Sequence, residues 1–101
     1  MEMKELETMA IGSYNFIHVE NVELIDMKKL KYVEIGMGSF SGPNTQSSLK
    51  IHKCPLLTDL ILRWESFKNY RQLELIDLPN LQFLRVGNGS FYQLSRLELT
   101  G

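Results

Sequence analysis

Hydrophobic residues along this chain recur as L-x-x-L-x-[IV], with polar or charged side chains between them. Leu30, Val33 and Ile35 lead into Gly36, Ser39 and Phe40, and Leu81, Leu84 and Val86 lead into Gly87, Ser90 and Phe91. The same frame recovers Leu57, Leu60, Leu62 and Phe67, and before them Leu6, Met9, Ile11 and Phe16. The starting points Leu6, Leu30, Leu57 and Leu81 lie 24, 27 and 24 residues apart. A fixed period of this length marks stacked repeats, and it takes precedence over any local reading of secondary structure.

A second half-repeat follows each phenylalanine. Val22 and Leu24 align with Leu49 and Ile51, with Leu73 and Leu75, and with Leu97 and Leu99. Then come Asp26-Met27, Lys53-Cys54 and Asp77-Leu78, with Pro55 and Pro79 closing two of the three junctions. The three extra residues of the second repeat fall within Ser41 to Ser48, a polar stretch rich in turn formers, which predicts a surface loop. Each half-repeat alternates apolar and polar positions, as a short strand with one buried face does. The expectation is a β-rich solenoid: a right-handed coil of about four 24-residue repeats, two short strands per repeat and little or no helix. It forms a single array over residues 1–101, stabilised by contacts between neighbouring coils.

The pattern resembles that of the leucine-rich repeat family, and the resemblance runs from Leu6 to Leu99. Leu57-Thr58-Asp59-Leu60-Ile61-Leu62 matches the family's strand motif, and the I-G-x-x-S-F element is similar to the I-G-x-x-A-F element of BspA-like repeats. Where the family has an asparagine three residues after the strand, this chain has Tyr14, Gly38, Glu65 and Gly89, so a regular asparagine ladder is missing. A second register also fits. Val19-x-x-Val22-x-Leu24, Tyr70-x-x-Leu73-x-Leu75 and Leu94-x-x-Leu97-x-Leu99 read as L-x-x-L-x-L. In that frame, Leu49 to Pro55 resembles the L-x-L-x-x-C-P of cysteine-containing repeats. Which strand lines the concave face of such a coil stays open between the two registers.

Composition narrows the function classes. Eleven Lys and Arg against 12 Asp and Glu leave a net charge of -1, which lacks the basic excess that binding a phosphate backbone demands, so no nucleic-acid partner is expected. No stretch approaches the apolar length needed to span a bilayer, and the first residues carry no apolar run of the signal-peptide kind. A single cysteine, Cys54, excludes an intrachain disulfide. It shares a column with Met27 and Leu78, which makes it a core thiol and not a nucleophile.

Little else points to chemistry. His18 and His52 have no ligand-like spacing to Cys54 or to carboxylates and are expected on the surface or in loops, so no metal is expected. Gly36-Met37-Gly38 and Gly87-Asn88-Gly89 lack the Gly-Lys-Ser/Thr ending of a phosphate loop and read as turns of the repeat. Asn88-Gly89-Ser90 is formally a glycosylation sequon. Asp26 and Asp77 share a column interrupted by Lys53, which disfavours a carbohydrate-active β-helix enzyme. No catalytic or cofactor-binding residue is assigned.

The outward columns are more informative. Glu23, Lys50, Glu74 and Glu98 form one, with Lys50 placed between two glutamates, and read as a solvated face. Three others run Thr8, Tyr32, Asp59, Phe83; Ala10, Glu34, Ile61, Arg85; and Ser13, Met37, Trp64, Asn88. Large aromatics beside an arginine are typical of interaction hot spots, so Tyr32, Glu34, Trp64, Phe83 and Arg85 are the candidate partner-binding residues. Against that stands a core or loop-covered role for Trp64. The expected function is a non-catalytic protein-interaction module of leucine-rich-repeat type, part of a surface or adhesion-like protein. A purely structural solenoid segment is the alternative. Since no capping segment is recognisable at either end, a piece of a longer solenoid or a subunit that associates end to end is expected.

Overall fold

The computed structural model describes residues 5–16, 19–40, 47–91 and 96–100. The Ser41–Ser48 loop therefore lies almost wholly outside the described residues, as does His18. Eight short strands follow one another: β1 (Thr8–Ile11), β2 (Asn21–Ile25), β3 (Tyr32–Ile35), β4 (Ser48–His52), β5 (Asp59–Leu62), β6 (Gln72–Ile76), β7 (Phe83–Val86) and β8 (Arg96–Thr100). Odd and even strands separate into two four-stranded sheets, β1-β3-β5-β7 and β2-β4-β6-β8. Every pairing is parallel, and there is no helix among the described residues. The chain is a β-solenoid of about three turns.

The register follows the repeat residue by residue. Met9, Val33, Leu60 and Leu84 are paired in succession, as are Val22, Leu49, Leu73 and Leu97. Both halves of the repeat build continuous sheets of equal strand number, so the two sequence registers describe two faces of one coil. Val33, Ile35, Leu49, Ile51, Leu60, Leu62, Leu73 and Leu75 are buried between the sheets, together with Cys54 and its column mates Met27 and Leu78.

Three turns complete each coil, and the residues at them recur for physical reasons. The first follows the odd strands: the amides of Ser39, Ser66 and Ser90 donate to the carbonyls of Gly36, Arg63 and Gly87. Its third residue, Tyr14, Gly38, Glu65 or Gly89, is left-handed in all four coils, with φ between 59° and 79°. This conformation suits glycine, and the two non-glycine occupants bear a strain of about 1–3 kcal/mol each. The glycine that opens the turn has a different cause. A Cβ on Gly36 would lie 2.5 Å from the carbonyl carbon of Gly12, and one on Gly87 would lie 2.3 Å from the amide nitrogen of Trp64. Coils approach backbone to backbone there. The third coil departs from this column with Arg63.

The serine and phenylalanine of the motif complete the corner. Ser39 Oγ, fully buried, donates to the Gly12 carbonyl of the coil below at 2.6 Å and accepts from the Asn15 amide at 3.1 Å. Ser66 and Ser90 both donate to the Arg63 carbonyl. Each hydroxyl satisfies a carbonyl that the turn has directed inward, where an orphaned acceptor would be costly. Phe16, Phe40, Phe67 and Phe91 then stack as a column, with centroids 5.2, 5.0 and 5.4 Å apart and planes within 10°. All four have φ between 52° and 55°, a strained state for a bulky residue. Ring stacking of about 0.5–1.5 kcal/mol per pair, added to burial of the rings, offsets that strain.

The last turn joins the even strands to the next odd strand. Leu30, Leu57 and Leu81 donate to the carbonyls of Met27, Cys54 and Leu78. Pro55 and Pro79 occupy the second position of that turn, where their fixed φ fits and no amide is missed. Just before it, Asp26, Lys53 and Asp77 are each left-handed at φ 57°.

Candidate functional site

Alternation along the odd strands directs Thr8, Ala10, Tyr32, Glu34, Asp59, Ile61, Phe83 and Arg85 to the outer face of the first sheet. Thr8, Ala10, Phe83 and Arg85 are exposed, and the four on the central strands β3 and β5 are half-buried. Strand spacing of about 4.8 Å places Tyr32 and Glu34 roughly two strands from Phe83 and Arg85, with Asp59 and Ile61 between them. Four of the five predicted residues thus share one face without forming one cluster, and the fifth, Trp64, lies in the turn after β5.

Tyr32 and Glu34 belong to a network that includes a residue the sequence did not single out. Tyr32 Oη donates to Glu34 Oε1 at 2.5 Å, and Arg63 donates from Nε to Glu34 Oε2 at 2.8 Å, with its Nη2 2.5 Å from the same oxygen. The Tyr32 hydrogen bond first, and that of Arg63 second, hold the Glu34 carboxyl below the usual carboxylate range. The Tyr32 phenol is raised by the same bond. Arg63 reaches this position because it stands where the other coils carry glycine. That break in the column was the signal available in the sequence.

Trp64 follows Arg63 in the turn after β5 and is 52% exposed, so it is neither loop-covered nor turned into the core. Its side chain lines a shallow groove with Glu65, Lys68, Asn88 and Gly89. Phe83 is 48% exposed on the last strand of the sheet. The site is therefore two exposed aromatics, a groove beside one of them, and a carboxylate held in place by a phenol and a guanidinium.

The opposite face is quieter. The column Glu23, Lys50, Glu74, Glu98 is paired as expected. However, Glu74 Oε1 is engaged by His52 Nε2 at 3.0 Å, and no ion pair among the described residues involves Lys50. His52 lies half-buried on the outward side of β4, and its ring lies beside Glu74 of the neighbouring strand. A second shallow groove runs along Asp26, Lys28, Lys53, Pro55, Asp77 and Pro79, over the alternating charges of the left-handed column.

Cys54 is fully buried, its Sγ 3.5 Å from the carbonyls of Leu24 and His52, and burial pushes the thiol up, which is the reverse of activation. Among the described residues, no group of three His, Cys, Asp or Glu side chains is placed to hold a metal ion. No helix among them is long and apolar enough to cross a membrane. Comparison of the chain with protein-family models, with curated proteins and with solved structures finds no match to any of them.

Proposed function

We propose that this chain is a non-catalytic protein-binding module of leucine-rich-repeat, BspA-like type, and that its partner docks on the outer face of the β1-β3-β5-β7 sheet. The observation that carries the reading is the exposure of Trp64 and Phe83 on a stacked, regularly paired scaffold. Large aromatics lose little conformational entropy on binding and dominate interface energetics, particularly beside arginine. Arg85 stands on the same strand as Phe83, and the Tyr32–Glu34–Arg63 network offers oriented polar groups at the rim. Stacked sheets present such residues at fixed spacing, which suits an extended protein surface more than a small molecule. A surface or adhesion-like role accords with this design.

The purely structural alternative has one observation in its favour. The residues of the I-G-x-x-S-F motif are all used in coil-to-coil contacts, so the repeat itself needs no ligand to account for it. Selection of clones from a peptide-display library on the immobilised chain separates the two readings, with Trp64→Ala/Phe83→Ala as the counter-target. Binders that recognise the native chain and lose the double variant, at an unchanged melting temperature, support the binding face. Binders indifferent to both substitutions overturn it.

A further inference from the structure

Among the described residues, Trp64 is the one aromatic that an inner coil leaves open to solvent. Its coil has neighbours on both sides, through β3 and β7, and its side chain is still 52% exposed. A missing coil therefore does not account for that exposure. The backbone that carries the ring is fixed. The Trp64 carbonyl accepts from the Gly38 amide at 3.2 Å, and Gly87 packs so closely that a Cβ on it would stand 2.3 Å from the Trp64 nitrogen. Just before it, the Arg63 amide donates to the Ile35 carbonyl and the Arg63 carbonyl accepts from the Ser66 and Ser90 hydroxyls. The Arg63 guanidinium is tied to Glu34. A ring on so rigid a mount loses little freedom on binding.

The groove that Trp64 lines with Glu65, Lys68, Asn88 and Gly89 has a volume of about 530 Å³, within the range of small-ligand sites. It is built by the third and fourth coils together. Gly89 contributes bare backbone to it, and a Cβ there would stand 3.1 Å from Glu65 Cγ. Among the described residues, no hydrogen bond or ion pair engages the Glu65 carboxylate, the Lys68 ammonium or the Asn88 amide. Two other shallow grooves, along Asp26 and Asp77 and along Lys31 and Asn80, hold no aromatic side chain.

The lining selects its ligand. Glu65 and Lys68 cancel in charge, so neither an anion nor a cation is favoured. Trp64 is the only large apolar side chain in the groove, which leaves no apolar pocket for a protein side chain to fill. What remains is one flat apolar surface flanked by groups that both donate and accept hydrogen bonds. A pyranose has the matching chemistry: a C–H face to lay on the negative face of the indole, and hydroxyls around its rim. We propose that the groove beside Trp64 binds a neutral hexopyranose unit of an oligosaccharide. Trp64 stacks on the C–H face of the sugar, Lys68 and Asn88 donate to its hydroxyl oxygens, and Glu65 accepts from its hydroxyls. Glu65 is the single carboxylate in the lining, where glycosidic cleavage calls for a pair, so the site binds without hydrolysing. This site goes beyond the protein-binding face, since it shares Trp64 with that face but uses neither Phe83 nor Arg85.

Trp64 is the only tryptophan of the chain, so its fluorescence reports on this groove alone. Titration of the full chain with cellotriose, triacetylchitotriose, mannotriose and lactose presents gluco-, manno- and galacto-configured C–H faces to it. At least one should shift the emission and saturate, with a Kd of about 1 mM or tighter. Sorbitol, which carries the hydroxyls without a ring face, should leave the emission unchanged. Lys68→Ala/Asn88→Ala keeps the reporter and should weaken the titration at least about tenfold at an unchanged melting temperature. Lys68→Ala alone, at an exposed position, serves if the double variant melts lower. Phe83→Ala lies outside the groove and should leave the saccharide titration as in the native chain while abolishing peptides selected on the sheet face. The two readings can therefore fail separately. No response to any of the four saccharides, an equal response to sorbitol, or saccharide binding indifferent to the Lys68 and Asn88 substitutions would each overturn the proposal. So would an emission change caused by the selected peptides alone, which would assign the groove to protein.

Discussion

Leu60 and Leu84 occupy the same column in adjacent coils and face the same way, yet Leu60 is 0% exposed and Leu84 44%. Their strands, β5 and β7, have the same length and the same pairing geometry. What differs is the neighbour count: β5 has a strand on each side, β7 on one. Burial in this molecule is set by the coils above and below, and the same side chain contributes differently according to its place in the stack.

The largest effect should come from setting these two leucines against each other. Leu60→Ala is expected to cost about 2–5 kcal/mol, which would lower the melting temperature steeply in so small a domain. Leu84→Ala removes the same atoms from a half-open site and should cost well under half as much in dilute solution. Equal losses in thermal melts would mean that the inner and outer coils are not energetically distinct.

The glycine column provides a smaller contrast of the same kind. Gly36→Ala drives a methyl group into the backbone of Gly12 and should cost about 1–3 kcal/mol or more. Gly12→Ala meets only the movable end of Asn15, so a change below about 0.5 kcal/mol is expected. Denaturant titration of both variants would show whether glycine is required by the approach of coils or by the turn itself.

Tyr70 gives a third and milder test, since it ties the middle of the stack to its first coil. It is fully buried, meets Phe67 edge-on at 4.9 Å, and donates from Oη to the Val19 carbonyl at 2.5 Å. Tyr70→Phe should cost about 1–2 kcal/mol, the loss of a hydrogen bond to an inner carbonyl. Burial raises the Tyr70 phenol, as it raises the Cys54 thiol. The folded state therefore favours the protonated forms. That stability is fully present below the unfolded values, about 8.5 for Cys and 10 for Tyr, and is lost as pH rises above them. Tyr70→Phe should flatten the decline above about pH 10, as melts recorded across alkaline pH would reveal.

These contrasts also show how much could be read from the chain itself. The repeat frame fixed by Leu6, Leu30, Leu57 and Leu81 reappears as the strand register, including the shift of 27 residues that the second repeat introduces. Alternation was sufficient for that, because a one-residue slip would turn every leucine outward. The inward assignment of Cys54 and the outward position of Phe83 followed from the same columns, which left Trp64 open between solvent and core. Three things were not legible. The left-handed turns at Phe16, Phe40, Phe67 and Phe91 run against the preference of phenylalanine and become intelligible only once the rings are stacked. The capture of Glu34 by Arg63 crosses 29 residues and depends on the exception in the glycine column. The engagement of Glu74 by His52 could not be read from a column of solvated charges, since His52 and Lys50 lie on one face of β4 and only geometry chooses between them.

Amide hydrogen exchange of the native chain in dilute solution tests most directly the claim that each coil is held by its neighbours. Slowest exchange is expected at the amides of Val33 to Ile35 and Leu60 to Leu62, with those of Leu84 to Val86 exchanging much faster although the sequence motif is the same. Uniform protection across β3, β5 and β7 would contradict the account.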